Sequence, residues 1–183
     1  MKVIHILFAL LFSFSLAQAE SVSEKREIIN AESQETLNML YRAYPRSQND
    51  IQQAYGYATF SNIGVNVFFL SGEGGRGVMV NNRNNHNTYM KMASGGVGFG
   101  IGVKDYRAVF VFDNRDVFES FLRNGWEANA QAAAAAKSDN KGGTVEGAVT
   151  VQQGMRLYKM TKNGVALQAT VQGTKYWRDD DLN

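Results

Sequence analysis

Apolar positions along this chain change their period once. Ile29, Ser33, Leu37, Leu40, Tyr41 and Tyr44 recur at steps of three and four, a spacing that predicts one amphipathic helix ending near Pro45. Ser47, with Asp50 three residues on, reads as a capping-box-like start for a short second helix through Ala54. From there the period is two. "YRAVFVFD" puts Tyr106, Ala108, Phe110 and Phe112 on one face, and "VALQATVQGTKYW" sets Val165, Leu167, Ala169 and Val171 opposite Gln168, Thr170 and Gln172. Such alternation predicts half-buried antiparallel strands. "NTYMKMAS" also reads as a strand, and the Asn163-Gly164 pair after "MRLYKM" predicts a hairpin turn. One helix interrupts the strands, with Asp113 or Asn114 as cap, Val117, Phe118, Phe121 and Leu122 as its apolar stripe, and Gly125 as its end. The alanines from 132 to 136 suit either a helix or close backbone packing.

Glycines refine this outline. In "SGGVGFGIGV" they occupy positions 96, 98, 100 and 102, leaving Val97, Phe99, Ile101 and Val103 on the opposite side of an extended segment. A strand bare on one face lets another element approach closely or lets the sheet bend. The expected fold is α+β: N-terminal helices, then a strongly curved, barrel-like antiparallel sheet with one inserted helix. A second cluster, "GEGGRG", satisfies G-x-G-x-x-G through Gly72, Gly74 and Gly77. A dinucleotide fingerprint needs the last glycine to open a helix whose N-terminal N–H groups hold the pyrophosphate. The next residues are instead the β-branched and turn-forming "VMVNNRNNHN", so the match reads as accidental. Gly72, Gly74, Gly77, Gly98 and Gly100 are read as structural, with Arg76 in a tight glycine turn.

The first residues change the picture of location. "MKVIHILFALLFSFSLAQAE" combines Lys2, a short apolar run and the small-x-small site Ala17-Gln18-Ala19, the pattern of a secretory signal peptide cleaved after Ala19. The apolar run is shorter than the roughly 20 residues needed to span a bilayer. Residues 1–19 are thus expected to be the signal and 20–183 a single domain of an exported, periplasmic or secreted protein.

Composition narrows the chemistry. The chain has no cysteine and 2 histidines. Disulfides, thiolate nucleophiles and Cys-based zinc sites are therefore excluded. His5 lies within the expected signal, and His86 in "NNRNNHN" reads as a turn residue rather than a general base. No catalytic residue, metal site or cofactor is assigned. Formal net charge is +2, which implies no nucleic-acid partner. Charge is unevenly placed, however: Arg76, Arg83, Lys91, Lys104 and Arg107 face only Asp105 over their stretch, and a second cationic stretch runs from Lys137 to Lys162.

"AYGYATFSNIG", "GEGGRGVMV", "SGGVGFGIGVKDYRAVFVFDN", the Trp of "NGWEANAQAAAA" and "YKMTKNGVALQATVQGTKYW", in this order, resemble the SYLF lipid-binding domain family, also called YSC84-related, over roughly residues 22–177. The resemblance implies a single α+β domain that binds membrane lipid. Eukaryotic members are associated with phosphoinositides and actin-patch proteins and use a basic amphipathic N-terminal helix. Here Lys25 and Arg26 are outnumbered by Glu20, Glu24, Glu27, Glu32 and Glu35, so those two roles are not carried over.

The expected function is non-catalytic lipid binding in the cell envelope, with an anionic phospholipid or membrane surface as partner. Arg76, Lys91, Lys104 and Arg107 are the head-group candidates, expected near strand ends, and Lys25, Arg26 and Ile29 are weaker membrane-helix candidates. Each Lys or Arg held near an anionic surface contributes about 1 kcal/mol. A structural or chaperone-like protein-interaction module is the alternative, its protein partner unknown, and a carboxylate-based hydrolase ranks after it. An outer-membrane barrel fits poorly, since amphipathic helices precede the strands.

Overall fold

The computed structural model describes residues 20–62, 73–94, 107–128, 147–161, 164–165 and 174–183. The expected signal, the 95–100 glycine run, the alanine-rich stretch and most of the last alternating segment lie outside them.

Helix α1 spans Val22–Ala43. Its start is set by a capping box: the Glu24 N–H donates to Ser21 Oγ (3.1 Å) and the Ser21 N–H donates back to the Glu24 carboxylate (2.7 Å). The Ile29, Ser33, Leu37, Leu40 stripe is buried, as the periodicity requires. Helix α2 comes next at Arg46–Gln53. Its N-cap position is Pro45, which makes no side-chain capping bond, so the expected cap at Ser47 is corrected. Ser47 is fully buried as the second residue of the helix, where its hydroxyl donates to the Tyr44 carbonyl at 2.6 Å.

The strands are β1 (Gly56–Ser61), β2 (Glu73–Asn81), β3 (His86–Ser94), β4 (Arg107–Phe112), β5 (Trp126–Glu127), β6 (Ala148–Gln152), β7 (Met155–Thr161), β8 (Gly164–Val165) and β9 (Thr174–Arg178). They form one antiparallel sheet in the order β5-β9-β3-β2-β1-β4-β7-β6, with β8 also on β7, curled into a half-barrel. β7 and β8 pair as the expected hairpin, but Gly164 opposes Thr161 as the first residue of β8 and is not part of the turn. Helix α3 (Arg115–Asn124) is capped by Asn114, whose side-chain oxygen accepts from the Val117 N–H, and it ends at Gly125 with φ 68°. The α+β expectation therefore holds, inserted helix included.

The sheet buries both faces. Helices α1 and α2 cover one, with Leu37, Leu40 and Ile51 against Val109, Val111, Tyr158 and Met160. Helix α3 covers the other, where Phe60, Phe110, Phe112, Phe118, Phe121 and Tyr176 meet, for example Phe60 with Tyr176 at 4.6 Å between ring centroids. All six residues of β4 are consequently buried, not half of them. Alternation gives the two faces of a strand, but only packing decides whether both are covered.

The "GEGGRG" segment is also corrected. It is no turn: Gly74, Gly75 and Gly77 lie within β2, which continues to Asn81 before the Asn82–Asn85 turn, and no helix opens there. A Cβ on Gly77 would fall well inside van der Waals distance of the Thr59 carbonyl oxygen and the Phe60 ring, so this glycine is structural because the backbone of β1 passes so close. Gly72, Gly98 and Gly100 lie outside the described residues.

Candidate functional site: a cationic row beneath the first helix

Strand register builds the site. In an antiparallel sheet directly opposed residues project from the same face. Trp177 opposes Lys91, Lys91 opposes Arg76, Arg76 opposes Ser61, and Ser61 opposes Arg107. Three of the four head-group candidates thus share one row across β9, β3, β2, β1 and β4. Val78 opposes Tyr89 on the same face, and both pack with Ile29 of α1, so the row lies on the α1 side. Lys104 lies outside the described residues.

Burial and pairing differ sharply along the row. Arg107 is only 5 % exposed, which corrects the expectation that head groups reach it. Its guanidinium pairs with Glu35 of α1 at 3.0 Å and donates to the Thr36 hydroxyl at 3.4 Å, while its Nε is buried without a hydrogen-bond acceptor. Arg76 is partly exposed. Half-buried Glu32 lies near both arginines: burial pushes its carboxyl above the ordinary range, and the charges of Arg107 and Arg76 act against that shift.

Lys91 retains a side chain 36 % exposed and meets two carboxylates, Asp179 and Asp181, each at 2.9 Å. The hydrogen bond to Asp179, then that to Asp181 and the charges of both, raise Lys91 above the usual lysine value despite some desolvation. Asp181 is correspondingly held below the usual carboxylate range, chiefly by its hydrogen bond to Lys91.

Asp179 and Asp181 belong to a turn after β9 to which the sequence pattern assigns no role. The 3-10 turn Asp180–Leu182 is capped by the Asp179 side chain. The Asn183 amide group then docks on β3: its oxygen accepts from the Tyr89 N–H at 2.9 Å and its nitrogen donates to the Tyr89 carbonyl at 2.8 Å. Arg26 Nε donates to the Leu182 carbonyl at 2.9 Å, and its guanidinium sits 5.4 Å from the Tyr89 ring centroid. The three acidic residues in a row are visible in "RDDDLN", but their fold back onto Lys91 is not.

The helix candidates divide. Arg26 is engaged in these contacts and Lys25 is partly exposed. Ile29 is 2 % exposed in the core, so it is no membrane-facing residue. The exposed apolar residues instead include Val22 and Ile28 on α1 and Trp177 on β9, the last 40 % exposed at the end of the row.

A second ionic cluster is structural. Arg156 on β7 joins Asp50 of α2, which also accepts from the Tyr158 hydroxyl at 3.1 Å, to Asp113 before α3 at 2.6 Å. These contacts tie α2 and the α3 cap to the sheet. His86 is exposed at the start of β3 beside the turn. Among the described residues no group of three or more His, Asp or Glu side chains is placed to hold a metal ion, and no helix is long and apolar enough to cross a membrane.

Residues 93–183 match the model of the Ysc84 family, described as Las17-binding protein actin regulator. Beta cell expansion factor A from Aeromonas veronii is 32 % identical over 163 residues, which is 89 % of this chain. The chain spans 60 % of the length of that relative.

Proposed function

Through residues 93–183 the chain belongs to the Ysc84-related, or SYLF, family, and from that premise we propose that it is a non-catalytic module that binds anionic lipid surfaces of the cell envelope after export. One observation carries the reading: Lys91, Arg76 and Arg107 stand in a single cross-strand row that ends at exposed Trp177. Lys91 and Arg76 supply the cations that remain partly exposed, and Trp177 supplies an amphipathic ring of the kind that settles at a membrane–water interface. Arg107 holds the row to α1 and does not meet lipid.

Co-sedimentation of the chain without residues 1–19 tests this. Vesicles of phosphatidylglycerol mixed with phosphatidylcholine should retain more protein than phosphatidylcholine alone. Since the Debye length is about 8 Å at physiological salt, the excess should shrink as salt rises. Arg76→Gln with Lys91→Gln should remove the anionic preference while thermal unfolding stays cooperative. Trp177→Ala should weaken binding to both vesicle types. Equal binding to both vesicles by the unaltered protein would dismiss the row as the site.

A second reading has its own support. The family description names a protein partner, and Val22 and Ile28 leave apolar surface on α1 beside Glu24, Glu27 and the preceding Glu20. Retention of a protein but no lipid on the purified chain would favour an interaction module.

A further inference from the structure

The carboxylates that neutralise the row come from two parts of the chain with different holds on it. Glu35 is carried by α1, a helix of 22 residues fixed to the sheet by Ile29, Leu37 and Leu40. Asp179 and Asp181 are carried by a short turn that follows β9. That turn rests on the Asn183 amide group, the buried Leu182 side chain, the Arg26 bond and the Asp179 N–H donated to the Tyr89 carbonyl at 3.0 Å.

The turn offers Lys91 what an anionic head group offers, namely paired oxygen acceptors, here each at 2.9 Å. We propose that Asp179–Asn183 is an intramolecular anion that competes with lipid head groups for Lys91, so that docking on an anionic surface lifts the turn off β3. This inference rests on the lipid-binding reading above and adds its regulation. Lifting the turn has a threefold consequence. Lys91 loses its two carboxylates, Arg26 loses the Leu182 carbonyl, and Leu182 itself, 3 % exposed in the resting fold, becomes a free apolar residue on the side of the sheet that carries Trp177. Two cations and an apolar side chain are released in one step, the combination that an interfacial contact requires.

The test uses the chain without residues 1–19 and the same two vesicle types. Asp181→Asn removes one of the two negative charges on Lys91, from a side chain 86 % exposed, and Asp179→Asn with Asp181→Asn removes both. Asp180→Asn is the charge-matched control: Asp180 pairs with Arg178, which opposes Met90 on the α3 face. The double variant should bind anionic vesicles about fivefold more tightly, the worth of one freed cation near such a surface, Asp181→Asn, which leaves Asp179 on Lys91, should gain less, and the control should leave affinity unchanged. Adding Lys91→Gln should cancel the gain. Hydrogen exchange supplies a reading on the unaltered protein: the Tyr89 amide, which donates to Asn183, should exchange faster on anionic vesicles. If the unaltered protein binds anionic vesicles but neither Asp181 variant gains and Tyr89 keeps its protection, the turn is no competitor and the lipid reading stands alone. If no form binds, both fall. Should the double variant fail to fold, Asp181→Asn and the exchange measurement decide.

Discussion

Gly77 shows how a single position serves the sheet. Its missing side chain lets the Thr59 carbonyl and the Phe60 ring of β1 lie against β2, in register with Met90 across the other strand. Gly77→Ala should therefore lower unfolding free energy by about 1–3 kcal/mol, because either strand must shift to admit the methyl group. Denaturant unfolding would reveal it as an earlier midpoint, and an unchanged midpoint would mean that β1 yields without cost. Arg107 makes the opposite point. It is a cation placed in the row by the strand register, yet the helix that crosses it buries its guanidinium and pairs it with a Glu35 carboxylate that stays exposed.

Helix ends and clamps decide how the elements meet. Asn114 closes the first turn of α3, and α3 in turn brings Phe118 and Phe121 onto the aromatic face of the sheet. Asn114→Ala should cost about 1 kcal/mol, since the Val117 N–H would lose its acceptor. Thermal unfolding would report the loss, and no change would mean that water replaces the cap. At the other side of the sheet α2 has no side-chain cap and is instead held from its middle, where Asp50 meets Arg156 and Tyr158. The cap of α3 is legible in the sequence as Asp113 or Asn114, whereas the Ser21–Glu24 box that starts α1 emerges with the structure. The start of α2 is not legible either, because Ser47 and Asp50 carry cap chemistry but commit it to Tyr44 and Arg156.

For the whole molecule, the titration of buried phenols sets an alkaline limit. Burial, then the Asp50 carboxylate, push Tyr158 well above the usual tyrosine range, and burial raises Tyr57 and Tyr41 as well. The unfolded chain releases these protons near pH 10 while the folded chain retains them, so stability falls as pH rises past that point. Lys91 acts with the same sign: its raised value gives stability that is complete below the unfolded lysine value and is lost as pH climbs through the folded one. Buried Lys159 opposes them, because burial lowers its value and deprotonation then favours the fold. The shift of Tyr158 is the large one among these groups and sets the sign. Denaturant midpoints should decline above about pH 10, and Tyr57→Phe should soften that decline. A midpoint that holds steady across this range would show that these phenols ionise freely in the folded state.

Elements whose signal is local can be read straight from the chain. The three-and-four spacing marks α1, the two-residue spacing marks β4, the cap and terminal glycine mark α3, and the missing helix after Gly77 disposes of the nucleotide reading; each depends on neighbours a few residues apart. What those elements do to one another follows from long-range packing. Arg76, Lys91 and Arg107 are up to 31 positions apart, and their alignment depends on strand register, which no local spacing encodes. Their fate depends on still more distant partners: Glu35 pairs with the charge of Arg107, while Asp179 and Asp181 cover Lys91 from about 90 positions away. A run of cations can be counted along the chain, but whether each faces solvent or a carboxylate is fixed by which helix and which turn fold over it.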